Sequence, residues 1–361
     1  MTSKLLTPLT FRNGVTAKNR VWLAPMTNLQ SHADGTLSDE ELHWLKMRAA
    51  GGFGVVETCA VYVTDDGKAW DGELGASNDS HVPGLTRVAS ALSEHGAVGL
   101  VQLFHGGVRA SAELTGETPW SASTVEEGGV TPRAATEDDI QRVIAAFRDA
   151  AVRCHRAGFQ GIELHGAHGY LLGQFLSPVS NKREDHWGGP LENRARLMRE
   201  ILRAVRAAVP ASFVVGIRVS PEDFGQAKGL DLDENLTLAR WLAEDGIDFL
   251  HLSLWTASRN TTKRPEQHAI PLFREVIPES VPIVVAGHIW TRADAEALLD
   301  KGAAAVALGR SAIGNPSWPN DIADPAWEPR RPPFTTPEML ERGLSPKFVR
   351  YMSRWKNFVV D

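Results

Sequence analysis

The sequence predicts an α/β protein folded as a (β/α)8 barrel, a single domain over residues 1–361 with an N-terminal cap (1–20), loop insertions and a C-terminal extension (316–361). Three features carry that expectation. Short apolar, β-rich runs recur almost from end to end, each is followed by a longer stretch of helical periodicity, and the runs are too apolar to leave one face wet. Repeated βα units of this kind make a parallel sheet covered by helices, and about eight of them favour a closed barrel over an open doubly wound sheet.

In chain order, a strand at Val21–Ala24 leads to a helix at Asp39–Ala50, and a strand at Val55–Cys59 to a helix at Val82–His95. Strand Val98–Leu103 precedes helix Glu137–Arg156, and strand Phe159–Leu164 precedes the first helical turns at Leu171–Leu176 and a helix at Asn193–Val209. The remaining pairs are Val214–Val219 with Glu234–Asp245, Phe249–Ser253 with Gln267–Val276, and Ile283–Ala286 with Arg292–Lys301, before a last strand at Ala305–Leu308. Thr136 with Asp139, and Thr291 with Asp294, have the hydroxyl-then-acid spacing that satisfies free amides at a helix start. Glycines at 51, 96, 158, 246 and 302 are placed to close helices just before the next strand. Ala110–Arg133 and the Pro-rich Pro316–Pro337 read as solvated loops outside the barrel.

Composition narrows the function classes. With 43% hydrophobic and 23% charged residues, the chain has the make-up of a soluble globular protein with a large core. The net charge of −6 and the lack of a Lys/Arg cluster argue against a nucleic-acid partner. Cys59 and Cys154 offer neither a disulfide framework nor metal spacing, which suits a reducing compartment. The segment Met1–Pro8 lacks the apolar core of a signal peptide, and no stretch approaches the ~20 apolar residues of a membrane span, so a cytoplasmic protein without a membrane partner is expected.

Chemistry in such barrels gathers where strands end and loops begin. Polar groups recur there: Pro25-Met26-Thr27 after Ala24, Gln102 near the end of the third strand, His165, His168 and Tyr170 after the fourth, and Arg218 on the fifth. The seventh strand ends in Gly287-His288 and the eighth in Gly309-Arg310. The segment Gly161–Leu172 sets two imidazoles and a phenol at one strand-to-helix junction. Two imidazole N–H donors aimed at one carbonyl oxygen would stabilise developing negative charge, by about 2.7–4 kcal/mol per donor in oxyanion-type sites. Tyr170, with a reference pKa of about 10, suits a general acid. His-x-x-His also has metal-ligand spacing, but a third ligand is needed, and Glu163 is expected to point away from His165 two residues on.

Arg218 lies in an otherwise apolar strand and requires an anionic partner, either a carboxylate such as Glu163 or a bound anionic cofactor. Gly287, and Gly309 with Arg310, would let backbone amides approach a phosphate at the last two strands, the usual phosphate position of the barrel. No Gly-x-Gly-x-x-Gly follows a strand and no Gly-x4-Gly-Lys-Ser/Thr occurs, so a mononucleotide fits better than a dinucleotide or a P-loop ligand.

These residues, in this order, resemble the Old Yellow Enzyme family of FMN-dependent ene-reductases over nearly the whole chain. The longest match is Gly161-Ile-Glu-Leu-His-Gly-Ala-His-Gly-Tyr-Leu-Leu-Gly-Gln-Phe-Leu-Ser-Pro178, continued by Ser180-Asn181 and Gly188-Gly-Pro-Leu-Glu-Asn-Arg194. Others are Ala24-Pro-Met-Thr27, Val101-Gln-Leu-Phe-His-Gly-Gly107 and Gly309-Arg310 followed by Asn315-Pro316. The resemblance implies that His165 and His168 bind the substrate's activating oxygen and that Tyr170 protonates the α-carbon. It implies that Thr27 touches the flavin C4 carbonyl, that Gln102 binds the pyrimidine edge, and that Arg218 sits by N1 and O2. Gly287, His288, Gly309 and Arg310 would hold the phosphate, beside the Ala24-Pro25-Met26 turn.

The chain also departs from relatives. Some have cysteine in place of Thr27 and tyrosine in place of Leu29, and many have asparagine in place of His168. Trp255 is bulkier than the resemblance leads one to expect and is expected to narrow a substrate pocket. The ending Arg350–Lys356 resembles a branch whose C-terminal arginine reaches into a neighbouring subunit's site, which implies a homodimer; a capped surface tail is the alternative. The expected activity is ping-pong: NADPH or NADH reduces bound FMN, and a small-molecule enone is then reduced in the same pocket. The rival readings are a barrel metallohydrolase or lyase using His165, His168 and Glu163, and a flavin-binding sensor without turnover.

Overall fold

In the computed structural model, which describes residues 3–225 and 227–360, eight parallel strands close into a barrel in chain order. They are β1 (Val21–Leu23), β2 (Val55–Tyr62), β3 (Val98–Phe104), β4 (Gly161–Gly166), β5 (Val214–Val219), β6 (Phe249–Ser253), β7 (Ile283–Ala286) and β8 (Ala305–Leu308). Every residue of all eight is buried, because helices cover the outer face and side chains fill the inner one. Met1, Thr2 and Asp361, at the two ends of the expected cap and extension, lie outside the described residues.

The interior is layered. At the end where the strands begin, Phe11, Trp22 and Phe249 form an aromatic plug, with ring centroids 5.1 to 6.0 Å apart. Phe11 is delivered by a short antiparallel pair, Leu9–Thr10 with Thr16–Ala17, so the N-terminal segment closes that end of the barrel. Each buried ring contributes about 1.5–3 kcal/mol through apolar area removed from water. Above the plug lies a layer of ionisable side chains, and above that an open cavity.

A bulge in β2 joins the two upper layers. The register against β3 shifts between Glu57 and Ala60, which inserts one extra residue. Glu57 is thereby held in the ionisable layer, near Glu163 and Arg218, while Ala60 lines the cavity.

The outer helices follow their start signals. Thr136 with Asp139, and Thr291 with Asp294, form reciprocal capping boxes on helices Glu137–Arg156 and Arg292–Asp300. The longer of these buries Ile140, Val143, Phe147, Ala150, Ala151 and Cys154 along one face. Four of the five expected closing glycines, at 96, 158, 246 and 302, have positive φ. The fifth, Gly51, has φ −71°, and its neighbour Gly52 takes the left-handed conformation at φ 99°.

Several boundaries move. β4 starts two residues later than expected and runs through His165 to Gly166, while β2 continues past its bulge to Tyr62. The helix expected at Asn193–Val209 divides at Ala195 into Leu191–Arg194 and Arg196–Ala208. The two supposedly solvated loops are pinned from within. Trp120 pairs its strand with Arg133–Ala134 and is 1% exposed, and Trp318 and Phe334 are wholly buried. Aromatic anchors therefore dock both insertions onto the barrel. Among the described residues no helix is long and apolar enough to cross a membrane.

Candidate active site

At the carboxyl ends of the strands the barrel opens into a cavity of about 700 Å³. It brings together every site residue expected from the sequence: Ala24, Pro25, Met26, Thr27, Gln102, His165, His168, Tyr170, Arg218, Trp255, Gly287, His288, Gly309 and Arg310. The floor is made of small side chains, Ala24, Ala60, Ala286 and Ala307, which leave room for a flat ring.

The two imidazoles and the phenol come from one turn. β4 ends at Gly166, and His168 (φ 61°) and Gly169 (φ 70°) both take left-handed backbone conformations before Tyr170 caps helix Leu171–Leu176. A non-glycine residue there costs of order 1 kcal/mol or more, and such strain clusters at functional sites. The turn is held by Arg109, whose Nη2 donates to the His168 carbonyl and, at 2.6 Å, to that of Gly169, while its Nε donates to Glu127 at 2.9 Å. The His165 ring centroid stands 5.0 Å from those of both His168 and Tyr170. Phe104 packs edge-on to Tyr170 at 4.6 Å, and the Arg109 guanidinium lies over the Tyr170 ring at 4.3 Å.

Electrostatics define what these groups can do. Burial first, and then the nearby positive charge of Arg218, hold His165 and His168 well below the usual imidazole pKa. Both are therefore neutral at pH 7, each with one N–H to donate. For His168 the geometry suggests which one: Arg218 Nη2 donates to Ser253 Oγ at 3.0 Å, and that hydroxyl lies 2.7 Å from His168 Nε2. If the serine passes its own proton to Nε2, Nδ1–H is left as the donor. Burial raises the Tyr170 pKa, partly offset by Arg109, so the phenol keeps its proton at neutral pH.

The other end of the cavity is basic. Arg310 Nη2 lies 3.0 Å from His288 Nδ1, Arg331 lies 5.5 Å from the Trp290 ring centroid, and among the described residues neither arginine is paired with a carboxylate. Burial, Arg310 and Arg331 all depress the His288 pKa. Arg218 Nε is buried without an acceptor. Gln102 gives one amide N–H to Glu163 at 2.7 Å, which leaves its second N–H as a donor and its carbonyl oxygen as an acceptor. Alanine floor, orphaned guanidinium nitrogen and unpaired basic end together fit a flat ring carrying a phosphate.

Three expectations are corrected. Glu163 does not point away from His165, since residues two apart on a strand share a face; both lie inward, one layer apart. The metal trio of His165, His168 and Glu163 is not assembled: Glu163 is engaged by Gln102 and His251, and the group with metal-ligand spacing among the described residues is Glu57, Glu163 and His251. Trp255 does not narrow the inner pocket. It stands at the rim, 70% exposed, with its ring 6.5 Å from Phe224.

The C-terminal segment folds back onto the barrel. Helix Pro346–Met352 packs Phe348 against Trp44 at 5.0 Å, and Tyr351, Met352 and Trp355 line this chain's own cavity. Burial raises the Tyr351 pKa, and the neighbouring Thr27 partly opposes that. Sequence reasoning missed Tyr351, Trp355, Arg109 and Ser253 as site residues. Arg109, four residues after His105 begins the loop, stood close to a matched motif, and Tyr351 and Trp355 stood within the Arg350–Lys356 ending; Ser253 had no such signal.

A model of the NADH:flavin oxidoreductase / NADH oxidase family matches residues 4–326. The chain is 36% identical over 322 residues to a probable NADH-dependent flavin oxidoreductase, YqiG, of Bacillus subtilis, covering 87% of this chain and 86% of that protein. It is also 36% identical over 324 residues to an NADPH dehydrogenase of Bacillus licheniformis, covering 89% and 94%. Among solved structures, the old yellow enzyme homologue from Zymomonas mobilis matches with a TM-score of 0.83 at 27% identity, over 96% of this chain and 98% of that one.

Proposed function

Because the chain belongs to the NADH:flavin oxidoreductase / NADH oxidase family and is an FMN-dependent NAD(P)H oxidoreductase of the Old Yellow Enzyme type, we propose that it reduces the C=C bond of α,β-unsaturated carbonyl compounds. FMN, when bound, supplies hydride transfer, from NADPH or NADH and then to the substrate β-carbon. The carrying observation is that two neutral imidazoles and one protonated phenol face the same cavity as the basic end and the alanine floor.

In this reading Gln102, Arg218 and the Ala24-to-Thr27 turn hold the ring, and Gly287, His288, Gly309 and Arg310 hold the phosphate. His165 and His168 donate their N–H groups to the carbonyl oxygen of the substrate. That draws electron density from the C=C bond and stabilises the enolate-like charge as it develops. Tyr170 then gives its hydroxyl proton to the α-carbon. Its raised pKa keeps the proton in place beforehand, and Arg109 over the ring stabilises the phenolate left behind. Phe104 packs against the Tyr170 ring and fixes it, and Tyr351 and Trp355 give the cavity aromatic walls.

Tyr170→Phe separates the two half-reactions. Flavin reduction by NADPH should proceed at a near wild-type rate, whereas enone turnover should fall by about 10²–10⁴-fold, the usual contribution of a positioned general acid. Equal effects on both half-reactions would remove Tyr170 from the proton-donor role.

A further inference from the structure

Between the aromatic plug and the cavity the barrel holds a polar layer, whose Gln102 and Arg218 also line the cavity. Glu57 comes from β2, Gln102 from β3, Glu163 from β4, Arg218 from β5 and His251 from β6, with His165 and Ser253 one layer above them in the cavity; β1, β7 and β8 contribute no titratable side chain. Glu163 and His251 are wholly inaccessible and Glu57 is 1% exposed. One ligand atom from each of the three lies within 4.8 Å of the others.

Hydrogen-bond accounting in this layer is uneven. Glu163 accepts from Gln102 Nε2 on one oxygen and meets His251 Nδ1 on the other, both at 2.7 Å. Glu57 has no donor on either oxygen. An ionised carboxylate with nothing to solvate it, beside a second carboxylate, is among the costliest arrangements a barrel interior can hold. A single proton resolves it. Each oxygen of Glu163 has a lone pair to spare, and Glu57, once protonated, becomes a donor that can use one.

We propose that Glu57 is a neutral acid whose O–H bonds to Glu163, so that the layer beneath the cofactor carries one negative charge and Arg218 one positive charge. The inference rests on the flavin reading of the cavity, and it makes Glu57 a positioning residue. With both glutamates ionised, the two negative charges would exceed that of Arg218 and repel an anionic ring above. With the proton in place the layer is neutral, and the guanidinium remains available to an anion. The direction of the Glu57 pKa agrees: burial raises it first, the Glu163 charge raises it further, and Arg218 only partly opposes them. His251 adds no charge, since burial lowers its pKa, and with Nδ1–H given to Glu163 its unpartnered Nε2 is a bare lone pair. A divalent metal is the less favoured occupant, because the Arg218 guanidinium beside the layer would repel it.

The test is infrared spectroscopy of the FMN-loaded protein at pH 8, with Glu57→Gln and Glu57→Met subtracted from wild type so that other buried acids cancel. Wild type should show the carbonyl stretch of a neutral carboxylic acid, absent from both variants. Glu57→Gln, which keeps a donor toward Glu163 without charge, should leave the reduction potential of the bound flavin unchanged, whereas Glu163→Gln should move it positive. Either Glu57 variant suffices for the infrared arm if the other does not fold. Three results would overturn the proposal: no band lost on substitution, a positive shift of the potential in Glu57→Gln, or a stoichiometric metal in wild type that Glu57→Gln loses. Failure to bind FMN would count against the functional reading, while the same infrared difference on the unloaded protein would still decide the proton.

Discussion

His165 and His168 show how burial sets function one residue at a time. In water each imidazole takes up a proton near pH 6.5. In the folded protein, burial and Arg218 hold both pKa values well below that. As the pH falls through 6.5 the unfolded chain binds protons that the folded one refuses, so stability falls with pH, by up to about 1.4 kcal/mol per pH unit for each imidazole. Urea midpoints should therefore drop between pH 7 and pH 5.5 in wild type and drop less in a His165→Gln, His168→Gln double variant. An equal pH slope in the two proteins would contradict the assigned neutrality. Identity at these positions was legible in the sequence, but the charge state was not. It depends on burial, and then on Arg218, brought beside His165 by the pairing of β4 with β5.

The barrel strands illustrate what an element's sequence can and cannot say. Gly216 on β5 faces Phe249 on β6, and a Cβ at Gly216 would stand 2.1 Å from the Phe249 ring carbons. Gly216→Ala should destabilise the protein by about 1–3 kcal/mol through overpacking, as a lowered urea midpoint; an unchanged midpoint would mean that the aromatic plug yields without cost. Uniformly apolar strands such as Ile283–Ala286 and Ala305–Leu308 were legible to the residue because nothing polar interrupts them. β4 was truncated in the sequence reading because its last inward residue, His165, is polar and resembles loop. β2 was truncated because its bulge breaks the period-two pattern after Glu57. The break at Ala195 carries no proline or glycine and had no signal to read.

Over the whole molecule, an aromatic plug, a polar layer and a cavity stack along one axis, and each depends on the layer below. The cavity's strand-end residues were legible because the barrel's topology sends all strand ends to one place. Its lining by Tyr351 and Trp355 was not, since it depends on Phe348 docking the C-terminal helix against Trp44 far back in the chain. The polar layer was hidden too, because Glu57, Glu163 and His251 are widely separated and meet only across the closed sheet. The central claim is that two imidazoles donate to one oxygen above a bound flavin. It is tested most directly by titrating the FMN-loaded protein with a para-substituted phenol and following the visible flavin spectrum. Wild type should show a saturable spectral perturbation, and the His165→Ala, His168→Ala double variant should keep its flavin band but show none. An undiminished perturbation in the double variant would contradict the account.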